Sequence, residues 1–352
     1  MSEIVRAALA GVVEGKRLSM DEARVAMGSV MDGEATTAQL AALLVALRMR
    51  GETVEELAGF AAAMRERVLK VEAPAGAIDT CGTGGDGSGT INISTAAAFV
   101  VAAAGVPVAK HGNRAITSKA GSADVLEALG VRTDLNPEEA AEALVKYGFA
   151  FLSAMSYHPA MKHAGPTRRE IGVRTAFNLL GPLTNPAGAR RQVVGVGDPA
   201  AAPRVAEVLR MLGAERALVV HGEHLDELPL DGTGVLYDVT PAGVTRHGIV
   251  AAELGLAPAP VSALVGGTAA ENAAILESIL DGKAGPRRDV VLLNAAAGFV
   301  AAGRAANLRE GIALASVSID SGAAAGLLQR LRVARLAHEE IVARQQAQAA
   351  LA

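Results

Sequence analysis

From Ala73 onward the chain alternates short β-branched or apolar runs with alanine-rich stretches of helical length, and no other feature constrains the fold as much. Parallel strands need a crossover of about a dozen residues, usually a helix, so this rhythm points to a parallel or mixed sheet covered by helices. Strands are expected at residues 78–80, 106–110, 149–152, 193–196, 217–221 and 290–294. The helix ahead of the third strand is marked at both ends. Asn136 can cap it, Pro137 suits its first position, Glu139 completes a capping box, and Gly148 follows its last turn. Aromatic residues make up only 3% of the chain and Trp is absent, which leaves Ala, Val, Leu and Ile to build the core.

Residues 1–72 read as a small helical bundle. Ser19 with Glu22, Thr36 with Gln39, and Thr53 with Glu56 repeat the capping-box spacing ahead of apolar runs. Leu40, Leu43, Leu44 and Leu47 then recur at helical spacing, a stripe that can pack inside the bundle or against a second copy of the chain. The stretch GPTRREIGVRTAFNLLGPLTNPAG, residues 165–188, breaks the strand–helix alternation and is helical inside, which suggests that it returns to the bundle. The expected architecture is α/β. A helical domain of residues 1–72, joined by returning helices at about 167–187, precedes a larger domain of residues 73–166 and 188–352, with a central mixed or parallel sheet flanked by helices.

A net charge of -4, and no long Lys/Arg run, give no electrostatic footprint for nucleic acid. The single cysteine, Cys81, excludes an intramolecular disulfide and fits a reducing cytoplasm, and no apolar run has the length of a membrane span. A cytoplasmic protein without membrane or nucleic-acid partners is therefore expected.

Residues 79–95, DTCGTGGDGSGTINIST, place five glycines between Gly82 and Gly89, after a short strand and before an alanine-rich helix expected from about Thr95. Backbone N–H groups at a helix N-terminus carry partial positive charge, and glycines let a ligand approach them closely, so the arrangement suits phosphate. It lacks the Gly-Lys-Ser/Thr ending of a P-loop and the spacing of a dinucleotide fingerprint; the plain alternative is a flexible glycine loop. Cys81 has no identifiable base beside it and reads as a small filler. A second cluster, KHGNRAITSKAGSAD at 110–124, follows the next strand, and ligands collect at the carboxyl ends of parallel strands. Lys110 then offers a cation to phosphate. Asp226 and Glu227, in VVHGEHLDELPLDG after the fifth strand, lie on the same rim and could share a divalent ion with phosphate oxygens; the alternative is a solvated acidic turn.

These stretches, with HPAMKHAGPTRREIGVRTAFNLLGPLTNP from His158 to Pro186, resemble the anthranilate phosphoribosyltransferase family over nearly the whole chain. That family shares its fold with pyrimidine nucleoside phosphorylases. The resemblance implies a magnesium-dependent transfer of phosphoribose from 5-phosphoribosyl 1-pyrophosphate to the amine of anthranilate, two magnesium ions on the pyrophosphate, and a homodimer formed through the helical domain. By the same likeness the donor is held by Gly82, Gly85, Asp86, Thr90, Asn92, Ile93, Ser94, Thr95, Lys110, His111, Gly112, Asn113, Arg114, Ala115, Ile116, Thr117, Ser118 and Ser122. Anthranilate is placed on Gly82, His111, Asn113, His158 and Arg168, magnesium on Ser94, Asp226 and Glu227, and no catalytic base is implied. Pro229, where the family often has a polar residue, departs from the pattern. A nucleoside phosphorylase-like enzyme, an altered-acceptor relative and a non-catalytic relative stay open as alternatives.

Overall fold

The computed structural model describes residues 1–115, 119–223 and 225–351. Four helices come first: α1 (Glu3–Val13), α2 (Met20–Met31), α3 (Thr37–Arg50) and α4 (Val54–Glu66). All three expected capping boxes form, at Ser19, Thr36 and Thr53. Each cap stabilises its helix by about 1 kcal/mol. The leucine stripe of α3 packs inward, with Leu40, Leu43, Leu44 and Leu47 all buried.

The alternating region then runs β1 (Ile78–Gly82), α5 (Ile93–Ala103), β2 (Val108–Gly112), α6 (Ser122–Ala128), α7 (Pro137–Tyr147), β3 (Phe149–Ser153), α8 (Ala154–Tyr157), α9 (Gly165–Ile171), α10 (Phe177–Leu180), β4 (Arg191–Gly195), α11 (Ala202–Met211) and β5 (Arg216–His221). It ends with β6 (Gly234–Thr240), β7 (Gly243–Ile249), α12 (Ala269–Leu280), α13 (Pro286–Ala301), α14 (Leu308–Asp320) and α15 (Ala323–Leu351). Asn136, Pro137, Glu139 and Gly148 delimit α7 as expected. Among the described residues no single helix is long and apolar enough to cross a membrane.

The strands form one sheet in the order β3-β2-β1-β4-β5-β6-β7. β1 to β5 are parallel, and β6 and β7 add an antiparallel edge. Two expectations need correction. Residues 290–294 are not a strand but lie in α13, which from Val290 onward is buried, packing on α5 and α14. An enclosed helix needs no polar face, so its sequence VVLLN shows a continuous apolar run that periodicity cannot tell from a buried strand. The β6–β7 hairpin was not expected, because the middle of β7 is solvent-exposed and lacks an apolar pattern.

Successive strand residues feed opposite faces. Val193 and Leu218 pack under α5, α13 and α14, whereas Val194 and Val219 join a core shared with α11 and the leucines of α3. The segment at 165–188 does return to the bundle, α9 packing on α3 and α10 on α4. Because β1 has β2 on one side and β4 on the other, the connections diverge where β1 meets β4 and leave a crevice beyond the carboxyl ends of those strands.

Candidate active site

β1 ends at Gly82, directly opposite Gly195 at the end of β4. Asp226, from the loop after β5, occupies the gap that these two glycines leave. A Cβ on Gly82 would lie 2.5 Å from Asp226 Oδ2, and one on Gly195 would lie 1.6 Å from the Asp226 carbonyl oxygen. Asp226 Oδ2 accepts the Gly84 N–H at 2.8 Å, and Glu227 Oε1 accepts the Ser94 N–H in the first turn of α5 at 3.0 Å. The acidic pair is thus built onto the glycine loop and a helix N-terminus, where negative charge is favoured. The loop itself needs its glycines: Gly84, Gly85, Gly87 and Gly89 have φ values of 62°, 71°, 73° and 65°.

The charge balance here is strained. Burial, then Asp86, pushes the Asp226 carboxyl up to about 6, and burial, then Asp226, raises Glu227 well above the usual carboxylate range. Asp79 is raised by burial too. Lys110, fully buried, donates to the Thr80 carbonyl at 2.5 Å and lies 3.5 Å from Ser94 Oγ; burial lowers its affinity for a proton, and Asp79 opposes that. One buried ammonium facing several carboxylates leaves negative charge that a divalent cation would balance, so the donor set fits magnesium. Among the described residues no group of three or more His, Cys, Asp or Glu could hold a metal alone. Magnesium commonly uses one or two carboxylates and takes its remaining ligands from water and substrate phosphate. Cys81 is buried, and burial raises its thiol far above the usual range, which makes it an inert filler.

On the other side of the crevice His111 and His158 face each other, their Nε2 atoms 3.3 Å apart. His111 Nδ1 lies 3.1 Å from the Gly181 carbonyl, which can only accept. His111 Nδ1 therefore carries the proton of its neutral ring, which leaves its Nε2 as an acceptor facing His158 Nε2, while the Thr184 backbone favours a proton on His158. Burial, reinforced by His158, holds His111 down at about 3, and burial holds His158 at about 4, so both are neutral near pH 7. Arg168 stacks its guanidinium 4.8 Å from the Phe177 ring centre, and among the described residues it has no ion-pair partner. A half-buried arginine without a carboxylate is suited to receive one from a ligand.

Two family models match, the helical bundle domain of a glycosyl transferase family at residues 6–68 and the a/b domain of that family at residues 74–325. The anthranilate phosphoribosyltransferase of Pelotomaculum thermopropionicum is 54% identical over 330 residues, which cover 93% of this chain and 96% of that one. This chain belongs to the anthranilate phosphoribosyltransferase family. The crystal structure of the Thermus thermophilus member superposes with a TM-score of 0.89 at 49% identity, covering 94% of this chain and 99% of that one. The Saccharomyces cerevisiae enzyme in complex with PRPP and Mg superposes with a TM-score of 0.87 at 27% identity, covering 96% and 99%.

Several residues that the family likeness assigns to the donor are already engaged within the protein. Asn92 accepts from Asn272 and donates to the Ala120 carbonyl, and Asp86 accepts from Ser88. Thr90 Oγ1 is 3.3 Å from Ser88 Oγ, and the Ser122 hydroxyl donates to the Asn113 carbonyl. Ile93 and Thr95 are buried in the first turn of α5, and Gly112 leaves the room that Ser122 Oγ occupies. Arg114 pairs with Asp124 and Glu127, while the Ala115 N–H donates to Asp124. Ile116, Thr117 and Ser118 lie outside the described residues. Sequence reasoning missed Asn294, whose side-chain amide accepts from the N–H of Leu228 and donates to its carbonyl, fixing the turn just after Glu227. It missed Asn185 as well, which donates to Asp79 and to the Ala109 carbonyl. An isolated asparagine in an apolar run, as in VVLLNAAAGF, is the signal that could have found Asn294.

Proposed function

We propose that this family member joins its two substrates across the crevice between β1 and β4, the donor on the glycine loop and anthranilate beneath Arg168. The observation that carries the reading is the insertion of Asp226 and Glu227 between Gly82, Gly195 and the N-terminus of α5, which puts acidic groups against a phosphate-type loop. The anthranilate carboxylate pairs with Arg168, its ring lies toward His111 and His158, and Asn113 supplies a polar contact. The amine lone pair then attacks the anomeric carbon. The carbon–oxygen bond breaks with both electrons going to pyrophosphate, and the new ammonium loses a proton. An aniline nitrogen is unprotonated at neutral pH, so no general base is required, and two neutral histidines neither repel nor protonate it.

Asp226, Glu227 and Ser94 would hold magnesium, in two ions, and magnesium supplies charge neutralisation to the departing pyrophosphate. The loop amides and Lys110 add preorganised positive potential, and alignment of amine and carbon is the remaining contribution. The product fits a step of tryptophan biosynthesis. A homodimer through the helical domain is supported by Ile4, Val13, Val45 and Met49, apolar residues exposed on α1 and α3. The lone buried cysteine supports a reducing, cytoplasmic setting.

Replacing both acids isosterically, Asp226→Asn with Glu227→Gln, tests the reading. Turnover at limiting magnesium should fall by roughly a hundredfold or more. The melting temperature should not fall, because two poorly compensated buried charges disappear. Unchanged turnover would remove the pair from the site.

A further inference from the structure

Arg174 lies in the turn between α9 and α10, six residues beyond Arg168. Its guanidinium reaches the glycine loop: Nη1 donates to the carbonyls of Gly84 at 3.2 Å and Gly85 at 3.3 Å, and Nη2 donates to Gly84 at 3.2 Å. A Cβ on Gly85 would lie 1.7 Å from Nη1, so the arginine occupies space that any other residue at position 85 would fill. Among the described residues Arg174 has no carboxylate partner, and these backbone carbonyls are its only acceptors.

A trans peptide unit points its C=O and its N–H in opposite directions. Holding the carbonyls of Gly84 and Gly85 toward Arg174 therefore turns the N–H groups of Gly85 and Asp86 away from it. Neither N–H has an acceptor among the described residues, whereas the Gly84 N–H is taken by Asp226. We propose that Arg174 is a positioning residue that chelates the glycine-loop carbonyls and so presents the Gly85 and Asp86 amides to the anionic phosphoribosyl donor. The inference deepens the reading given above and rests on it for the ligand, though not for the latch. It also ties the donor loop to the segment that carries Arg168.

The test compares Arg174→Gln and Arg174→Lys with the parent protein. Hydrogen exchange of residues 82–90 is followed in the ligand-free protein, donor binding is measured by calorimetry with phosphoribosyl pyrophosphate and magnesium, and steady-state KM is obtained for each substrate. Arg174→Gln should speed exchange across the loop, and loss of these charge-assisted contacts should weaken donor binding by about tenfold. It should leave the anthranilate KM within about twofold and the melting temperature unchanged. Arg174→Lys should fall between the two, because one ammonium cannot replace the planar fork. Unchanged loop exchange, donor binding equal to the parent's, a lysine variant indistinguishable from the parent, or an equal rise in both KM values would each overturn the proposal. Because exchange is read without ligand, failure of the latch is distinct from failure of the parent to bind this donor.

Discussion

At the residue scale, the site depends on side chains left without protein partners and on glycines that make room for others. Arg168 stacks on Phe177 with no ion pair among the described residues, so it is available to an acceptor carboxylate. Arg168→Ala should raise the KM for anthranilate by roughly tenfold to a hundredfold, the worth of a charge-assisted bidentate contact, and change the donor KM much less. Steady-state kinetics with each substrate varied in turn will check this; equal increases would make Arg168 structural. Much of this chemistry was legible, because Asp226, Glu227, Lys110 and the loop glycines are types that phosphate and metal binding require. What was not legible were partners fixed only by the fold. Nothing in the sequence places Asn294 against Leu228, or Arg174 against Gly84, since those contacts span 66 and 90 positions.

At the element scale, β2, the turn after α8 and the stretch beyond α10 meet at the His111–His158 pair. Both histidines are neutral when folded, down to about 3 and about 4, and an unfolded histidine takes a proton near 6.5. Between pH 6.5 and 4 the unfolded chain binds more protons at these positions, so their effect is a stability that falls as pH falls. The slope is about 1.4 kcal/mol per pH unit for each histidine. Asp226, raised to about 6, acts in the opposite sense, gaining a proton in the folded state first. The difference between parent and a His111→Gln, His158→Gln variant isolates the pair. Urea unfolding at pH 7, 6 and 5 should show a shallower loss of stability in the variant, and parallel curves would contradict the neutral assignment. Elements differed in legibility as well. Helices with caps, such as α2 and α7, declared their ends locally, whereas α13 and β7 are defined by surroundings, burial of all residues from Val290 onward for one and exposure for the other.

At the scale of the whole molecule, the order β3-β2-β1-β4-β5 opens a crevice where β1 meets β4, and the three sequence clusters converge there because they follow β1, β2 and β5. The bundle reaches this side of the molecule through α9, which carries Arg168 and packs on α3, and α10, which follows Arg174 and packs on α4. The central claim is that this crevice joins a phosphoribosyl donor to anthranilate. The most direct measurement is the fluorescence of anthranilate on mixing with purified protein, phosphoribosyl pyrophosphate and magnesium. The account predicts a loss of fluorescence that requires both substrates and is abolished when magnesium is chelated. No loss from a protein shown to be folded, or a loss indifferent to magnesium, would contradict it.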